Sequence, residues 1–308
     1  MNHLKRLVPT VILLLLVAVS PSLACLWPPG EHDRVTDTID LSTKDADVYL
    51  SLLIRKGRND ERYWEDVLKV NSKIANLRKD RKIENRIAVA LIHLGQTSKA
   101  IEILEKLERA KPGSYEVAAN LGTAYELVGD NEKAYEWIAE GIKRNPKSHY
   151  GTEWLHLKIL QAKQAIKADP AWIENNSVLG IDWKTVGEDL TKISVKDEAG
   201  TSRAATEVQT ALEYQLHERT AFVKPADPVV ASLLYDLGRI VKVSRSEEHG
   251  YLTLGAAALY GFARFDENDF PPPSVARDYT NYIVGSILGV LLAVTAFGMW
   301  YTRRQEIK

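Results

Sequence analysis

One cysteine, Cys25, is present in 308 residues. No internal disulfide can form, and cysteine-based zinc sites are excluded. An excess of charge of either sign is also missing: 40 Lys and Arg stand against 41 Asp and Glu, a formal net charge of −1. Without a global basic field, nucleic acid is not expected as a partner. Neither an HExxH motif, a P-loop nor a GxGxxG behind a strand occurs, and segments with strand periodicity are scarce. Cys25 has no helical His or Asp beside it, which argues against a nucleophile. No cofactor and no metal are expected. What remains is ordinary for a folded chain of one or two domains, with 45% hydrophobic and 26% charged residues.

Against these absences stands a period. Gly95, Ala100 and Pro112 recur 34 positions later as Gly129, Ala134 and Pro146. Two segments carry it, 82–112 and 114–146, each reading as two helices around a Gly turn and closed by proline. Small residues at Ala88, Ala100, Gly122 and Ala134 let the two helices of a unit approach closely. Large ones at Ile87, Leu91, Leu121 and Tyr125 fill the space between units. Pro112 and Pro146 stop the second helix, because the ring removes a donor and clashes with the preceding turn. Ser114 is placed to N-cap the second unit, with Glu116 in its first turn. The pattern resembles the tetratricopeptide repeat, on Leu121, Gly122, Tyr125, Ala134, Ile138 and Pro146, and upstream on Ile87, Ala88, Leu91, Ala100, Leu104 and Pro112. The resemblance implies an all-α fold, a solenoid of antiparallel helix pairs. It covers mainly residues 45–170 and is shared with extracytoplasmic bacterial repeat proteins that pair a signal peptide with such an array.

Two apolar runs stand outside the repeats. At the start, Lys5 and Arg6 precede an apolar core at 11–19, and Ser22-Leu23-Ala24 supplies small residues before Cys25. This reads as a signal peptide, 1–24; an uncleaved anchor is the alternative. Cleavage would make Cys25 the new N-terminus, open either to lipidation or to life as a free thiol. The second run, Tyr282 to Trp300, carries no charge and is long enough to cross a core of ~30 Å. Arg303, Arg304 and Lys308 follow, so the positive-inside rule puts the tail 302–308 in the cytoplasm. Residues 282–301 are thus expected to be a single transmembrane helix. Everything between the two runs is expected outside the cytoplasm, on the periplasmic side of a bacterial envelope in preference to an ER lumen. Gly285, Gly289 and Ala293 share a face of that helix, where small residues suit close packing and a homodimer.

Between these ends, residues 25–44 form an extended leader. Residues 45–58 and 62–81 read as two helices, either a degenerate first repeat or, preferred because their spacing does not fit the 34-residue register cleanly, a pair that caps the array. A third helix fits 150–164, with Ala168 one period after Ala134, but Asp169-Pro170 breaks the register. A polar insertion follows at 171–205, with a short helix near 182–190 and a glycosylation sequon at Asn175 that matters only in a eukaryote. Residues 206–264 form a degenerate helical-hairpin region, in which Asp227-Pro228 opens a helix. Pro271-Pro272-Pro273 makes 265–281 a stiff juxtamembrane spacer.

Candidate chemistry is thin. Glu213 and His217 lie four apart and His149 and His156 seven apart; both pairs read as helix-surface or packing contacts. Repeats that bind acidic C-terminal tails carry a Lys/Asn clamp. Here Asn120 matches one clamp position, but the others hold Asn85, Val89, Tyr150 and Trp154, so the clamp is absent. The concave face is expected to present Asn85, Val89, Ile92, His93, Ala119, Thr123, Glu126, Leu127 and Tyr150. That mixed surface suits a peptide or helix from a protein partner, unless its apolar members bury against neighbouring helices. The sequence therefore points to a non-enzymatic, membrane-anchored adaptor. An envelope enzyme with its site in 175–265, or a purely structural tethered spacer, are the alternatives.

Overall fold

The computed structural model describes residues 41–54, 61–220, 223–266 and 269. The signal peptide, almost all of the leader, most of the spacer and the apolar run with Gly285, Gly289 and Ala293 lie outside them. No helix among the described residues is long and apolar enough to cross a membrane.

The helices, in order, are α1 (Ala46–Leu53), α2 (Glu61–Leu77), α3 (Arg81–His93), α4 (Thr97–Ala110), α5 (Tyr115–Leu127), α6 (Asn131–Arg144), α7 (Glu153–Ala168), the single turns α8 (Trp172–Asn175) and α9 (Trp183–Val186), then α10 (Ala205–Thr220), α11 (Pro228–Ser244) and α12 (Glu247–Leu259). Among the described residues, one short antiparallel pair, β1 (Val195–Lys196) and β2 (Ser202–Arg203), interrupts the run of helices.

From α2 to α7 each helix packs on the next. Local chemistry sets the ends. Asp80, Ser114 and Asp130 accept backbone N–H bonds as N-caps. Gly95 and Gly129 take left-handed φ of 71° and 82° at the tight turns inside each unit, where a Cβ would be strained. Within the hairpins the small-against-large pairing holds: Gly122 lets Ile138 sit where a Cβ would be, and Ala88 and Leu104 are both fully buried.

Two apolar cores result. The repeat core gathers residues of α3 to α6, with Leu157 and Leu160 of α7. The second core gathers α10, α11, α12 and α1 around the other side of α7, through Trp154, Leu155, Ile159 and Ala162. Helix α7 is thus apolar on two faces and welds the array to the C-terminal unit.

Three expectations need correction. The helices at 45–58 and 62–81 do not cap the array as a pair. Helix α2 packs on α3, but α1 docks far downstream, about 160 residues on at α10 and about 200 on at α12. Tyr49 and Leu53 are fully buried there, the Tyr49 hydroxyl donates to Glu213 at 3.1 Å, and Thr220 donates to the Leu53 carbonyl at 3.1 Å. Ala168 is not the small residue of a second helix; it is the exposed end of α7, which Asp169-Pro170 terminates. The insertion at 171–205 is polar only in part, since Val178, Leu179, Val186, Ile193 and Val195 are buried in the second core.

The C-terminal hairpin holds a further regularity. In α11 and α12, Gly238 faces Leu254 as Gly122 faces Ile138: a Cβ on Gly238 would lie 2.8 Å from Leu254 Cγ. Ala88 to Leu104, Gly122 to Ile138 and Gly238 to Leu254 all span 16 positions, and Ala100, Ala134 and Gly250 stand 12 after the first member. Helices α11 and α12 therefore pack as the two complete units do, although the insertion has shifted them out of the 34-residue register.

Candidate functional site

The face expected to be an open groove is largely closed. Val89, Ile92 and Leu127 belong to the repeat core. Ala119 is buried, and Thr123 is buried with its hydroxyl donating to the Ala119 carbonyl at 3.1 Å. Asn85 accepts from Asn120 Nδ2 at 3.0 Å, a buried amide pair between α3 and α5. No residue of α5 from Val117 to Leu127 is exposed. His93 is half-buried and stacks on Trp64 of α2, with ring centroids 3.7 Å apart and planes 6° from parallel. Tyr150 alone of the candidates is broadly exposed, at 60%.

At its α7 end the face is closed by Glu126 and its partners. Its Oε1 accepts from Lys163 Nζ at 2.6 Å and Arg219 Nη1 at 2.9 Å, and its Oε2 meets His156 Nε2 at 2.7 Å. Burial alone would raise the pKa of this carboxyl; Arg219, Lys163 and His156 outweigh it and hold the group well below the carboxylate range. A second buried carboxylate, Glu153, pairs with His149 and lies 3.4 Å from His156 Nδ1. Burial opposes its ionisation as well, yet His149 and His156 draw its pKa down. For His156, burial favours the neutral ring, but Glu126 and Glu153 prevail and raise its pKa. The result is a buried chain of alternating charge running from α10 through α5 to α7.

The backbone at the join bends to serve this chain. His149 and Tyr150 have φ of 47° and 58°, left-handed values that cost a non-glycine residue roughly 1–2 kcal/mol. They aim His149 inward, where it meets Glu153, the Tyr115 hydroxyl and the ring of Tyr214 at 5.6 Å. Tyr150 is left outside, edge-on to Tyr214 at 5.7 Å. The sequence brought His149 and His156 together but missed Glu153, Lys163, Tyr214 and Arg219. The missing signal was legible: Arg219 is in helical step with Val208, Leu212 and Leu216, so the apolar face of α10 carries an arginine that needs a buried carboxylate. Glu213 and His217 serve a docking role: Glu213 accepts from Tyr49 and Arg245, and His217 Nδ1 sits 2.6 Å from the Leu52 carbonyl.

In the unit at 171–205, Trp183 Nε1 donates to Asp236 Oδ1 at 2.7 Å. Asp236 is fully buried, and its Oδ2 has no partner among the described residues. Among the described residues no group of three or more His, Cys, Asp or Glu has metal-holding geometry.

No curated protein matches the chain. A family model described as tetratricopeptide repeat matches residues 86–152, from α3 through α6 to the start of α7. That span contains the small-against-large hairpins, the Gly turns and both closing prolines. The helical array at 86–152 belongs to the tetratricopeptide repeat family.

Proposed function

We propose that this chain is a membrane-anchored, non-enzymatic adaptor that binds a protein partner through its helical array on the outer side of a membrane. The observation that carries the reading is the tandem array itself, since tetratricopeptide repeats generally mediate protein–protein interaction. The anchoring part is supported by the charge-free run Tyr282 to Trp300 with Arg303, Arg304 and Lys308 behind it, and by the signal-like first 24 residues. Of the residues first considered for the groove, His93 and Tyr150 remain accessible to a partner. Substituting the buried Val89, Ile92 or Leu127 would test folding and not binding.

The test is crosslinking and pull-down from membranes, comparing the intact chain with a His93→Ala, Tyr150→Ala variant of unchanged helix content. Loss of specific partners from the variant supports binding at this face, and equal recovery of all partners overturns it. The anchor is tested separately by alkaline extraction: the full chain is expected to stay in the membrane fraction, and a chain ending before residue 282 to leave it.

A further inference from the structure

Helix α2 occupies the place of a second helix whose first helix is gone. Its residues lie one period before α4 and two before α6. In the complete units, Ala100, Leu104 and Leu107, and likewise Ala134, Ile138 and Gly141, are buried in the hairpin. The same three positions in α2 are Asp66, Val70 and Lys73. All three are exposed, Val70 at 54%, because α1, which the register would place against them, has gone to the C-terminal unit. Helix α2 is held to α3 by its other side, through Trp64, Leu68 and the buried Asn71.

The uncovered side has a pattern of its own. Tyr63, Val67, Val70, Ile74 and Leu77 follow one another at spacings of four, three, four and three, the seam of a coiled coil. Tyr63 is 48% exposed and Leu77 87%. Asp66 and Lys73 occupy successive flanking positions of that seam, one acid and one base. Such an arrangement is self-complementary only when two copies run antiparallel. Layers then form between Val67 and Val70 of the second copy and between Tyr63 and Ile74, and these same layers bring each Asp66 beside Lys73 of the other chain. A parallel pair would set Asp66 against Asn71 and Lys73 against Arg78 of the other chain, with no acid–base contact.

We infer that α2 is a homodimer face, on which a second copy of this chain docks its own α2 antiparallel about a two-fold axis between Val67 and Val70. The contact is isologous, as two-fold interfaces are. A helix of 17 residues spans only ~25 Å, so one helix pair makes an interface at the small end of the range, weak and reversible. It is separate from any contact through Gly285, Gly289 and Ala293 and does not depend on the adaptor reading.

The test uses the full chain in detergent micelles. A Tyr63→Cys chain is mixed with an Ile74→Cys chain and treated with a short bismaleimide, and the linked peptides are mapped by mass spectrometry so that links through Cys25 are set aside. A 63-to-74 link between chains is expected. Carrying Asp66→Lys alone, or Lys73→Asp alone, on both chains is expected to lower its yield at least tenfold. Carrying both substitutions together should restore it. Absence of the link, a 63-to-63 link in its place, or a yield indifferent to the single charge changes overturns the proposal. These positions are exposed or half-buried, so unchanged circular dichroism separates a lost interface from a lost fold.

Discussion

Arg219 Nη1 donates to Glu126 Oε1 at 2.9 Å across 93 positions of sequence, with both side chains out of contact with solvent. This pair ties α10 to the middle helix of the repeat array, and it is the reason the expected groove is closed at the α7 end. A buried pair is by itself weak evidence of net stability, but removing one member leaves an uncompensated charge. Arg219→Met is therefore expected to cost ~3–5 kcal/mol, and Glu126→Gln a similar amount. The double variant should cost less than the sum, with a coupling of roughly 1–3 kcal/mol in a urea-unfolding cycle. Additive losses would show that the two ions do not act together.

The same cluster fixes a pH dependence with two arms. Glu126 and Glu153 have depressed pKa values in the fold. Their contribution is present above the ordinary carboxylate range, about pH 4, and is lost as the pH falls through the depressed values. His156 has a raised pKa. Its contribution is complete below about pH 6.5 and is lost as the pH rises through the raised value. Urea midpoints measured between pH 6 and 9 should fall in the native chain, and His156→Gln should make that fall shallower, leaving the part that Asp236 contributes. A native midpoint constant over this range would refute the assignment.

Small residues at hairpin contacts give a sharper test of packing. A Cβ on Gly122 would lie 2.5 Å from Ile138 Cδ1 and 2.6 Å from Cγ1. Gly122→Ala is expected to destabilise by ~1–3 kcal/mol through overpacking, more than the helix propensity it gains. In an Ile138→Ala background the same change should be near neutral, because the new methyl enters the space that isoleucine left. Gly250→Ala should behave differently. Its Cβ would lie 2.3 Å from Lys242 Cβ and 2.7 Å from Lys242 Cα, atoms that Lys242→Ala keeps. No rescue is expected there, and thermal unfolding of the six variants, the four singles and the two doubles, decides both cases.

These contacts also show how far the sequence could be read. The 34-residue period was visible because Gly95, Ala100 and Pro112 return intact as Gly129, Ala134 and Pro146. The α11–α12 unit was legible only as a helical hairpin. Its Gly238, Gly250 and Leu254 keep the internal spacings of 12 and 16, but the insertion moved them off the period and no closing proline marks the end. The docking of α1 was out of reach, since Tyr49 meets Glu213 and Leu52 meets His217 through distances in sequence that periodicity does not encode. The groove candidates were placed on the right helices but judged by residue type alone. Val89 is buried by the packing of the array itself, whereas whether Glu126 faces solvent depends on what α7 and α10 bring beside it, and that was written in a single residue, Arg219.

Asp236 supplies the last prediction. The carboxyl lies on α11, fully buried, under Trp183 of the insertion, with the Arg239 guanidinium 5.0 Å from the Trp183 ring. Burial pushes its pKa up from 3.8 to about 7, although the Trp183 hydrogen bond and the positive charges of Arg264 and Arg239 pull the other way. Because the folded value is the higher one, the contribution to stability is complete below about pH 4 and is lost as the pH rises to about 7. That difference corresponds to a cost on the order of 4 kcal/mol at pH 8 relative to pH 4. Asp236→Asn keeps an oxygen to accept from Trp183 Nε1 but cannot ionise. Urea unfolding of the native chain should weaken between pH 5 and pH 8, with indole fluorescence near Trp183 among the readouts. In the asparagine variant this part of the pH dependence should be gone. Equal slopes in the two chains would mean that Asp236 is not the group that titrates.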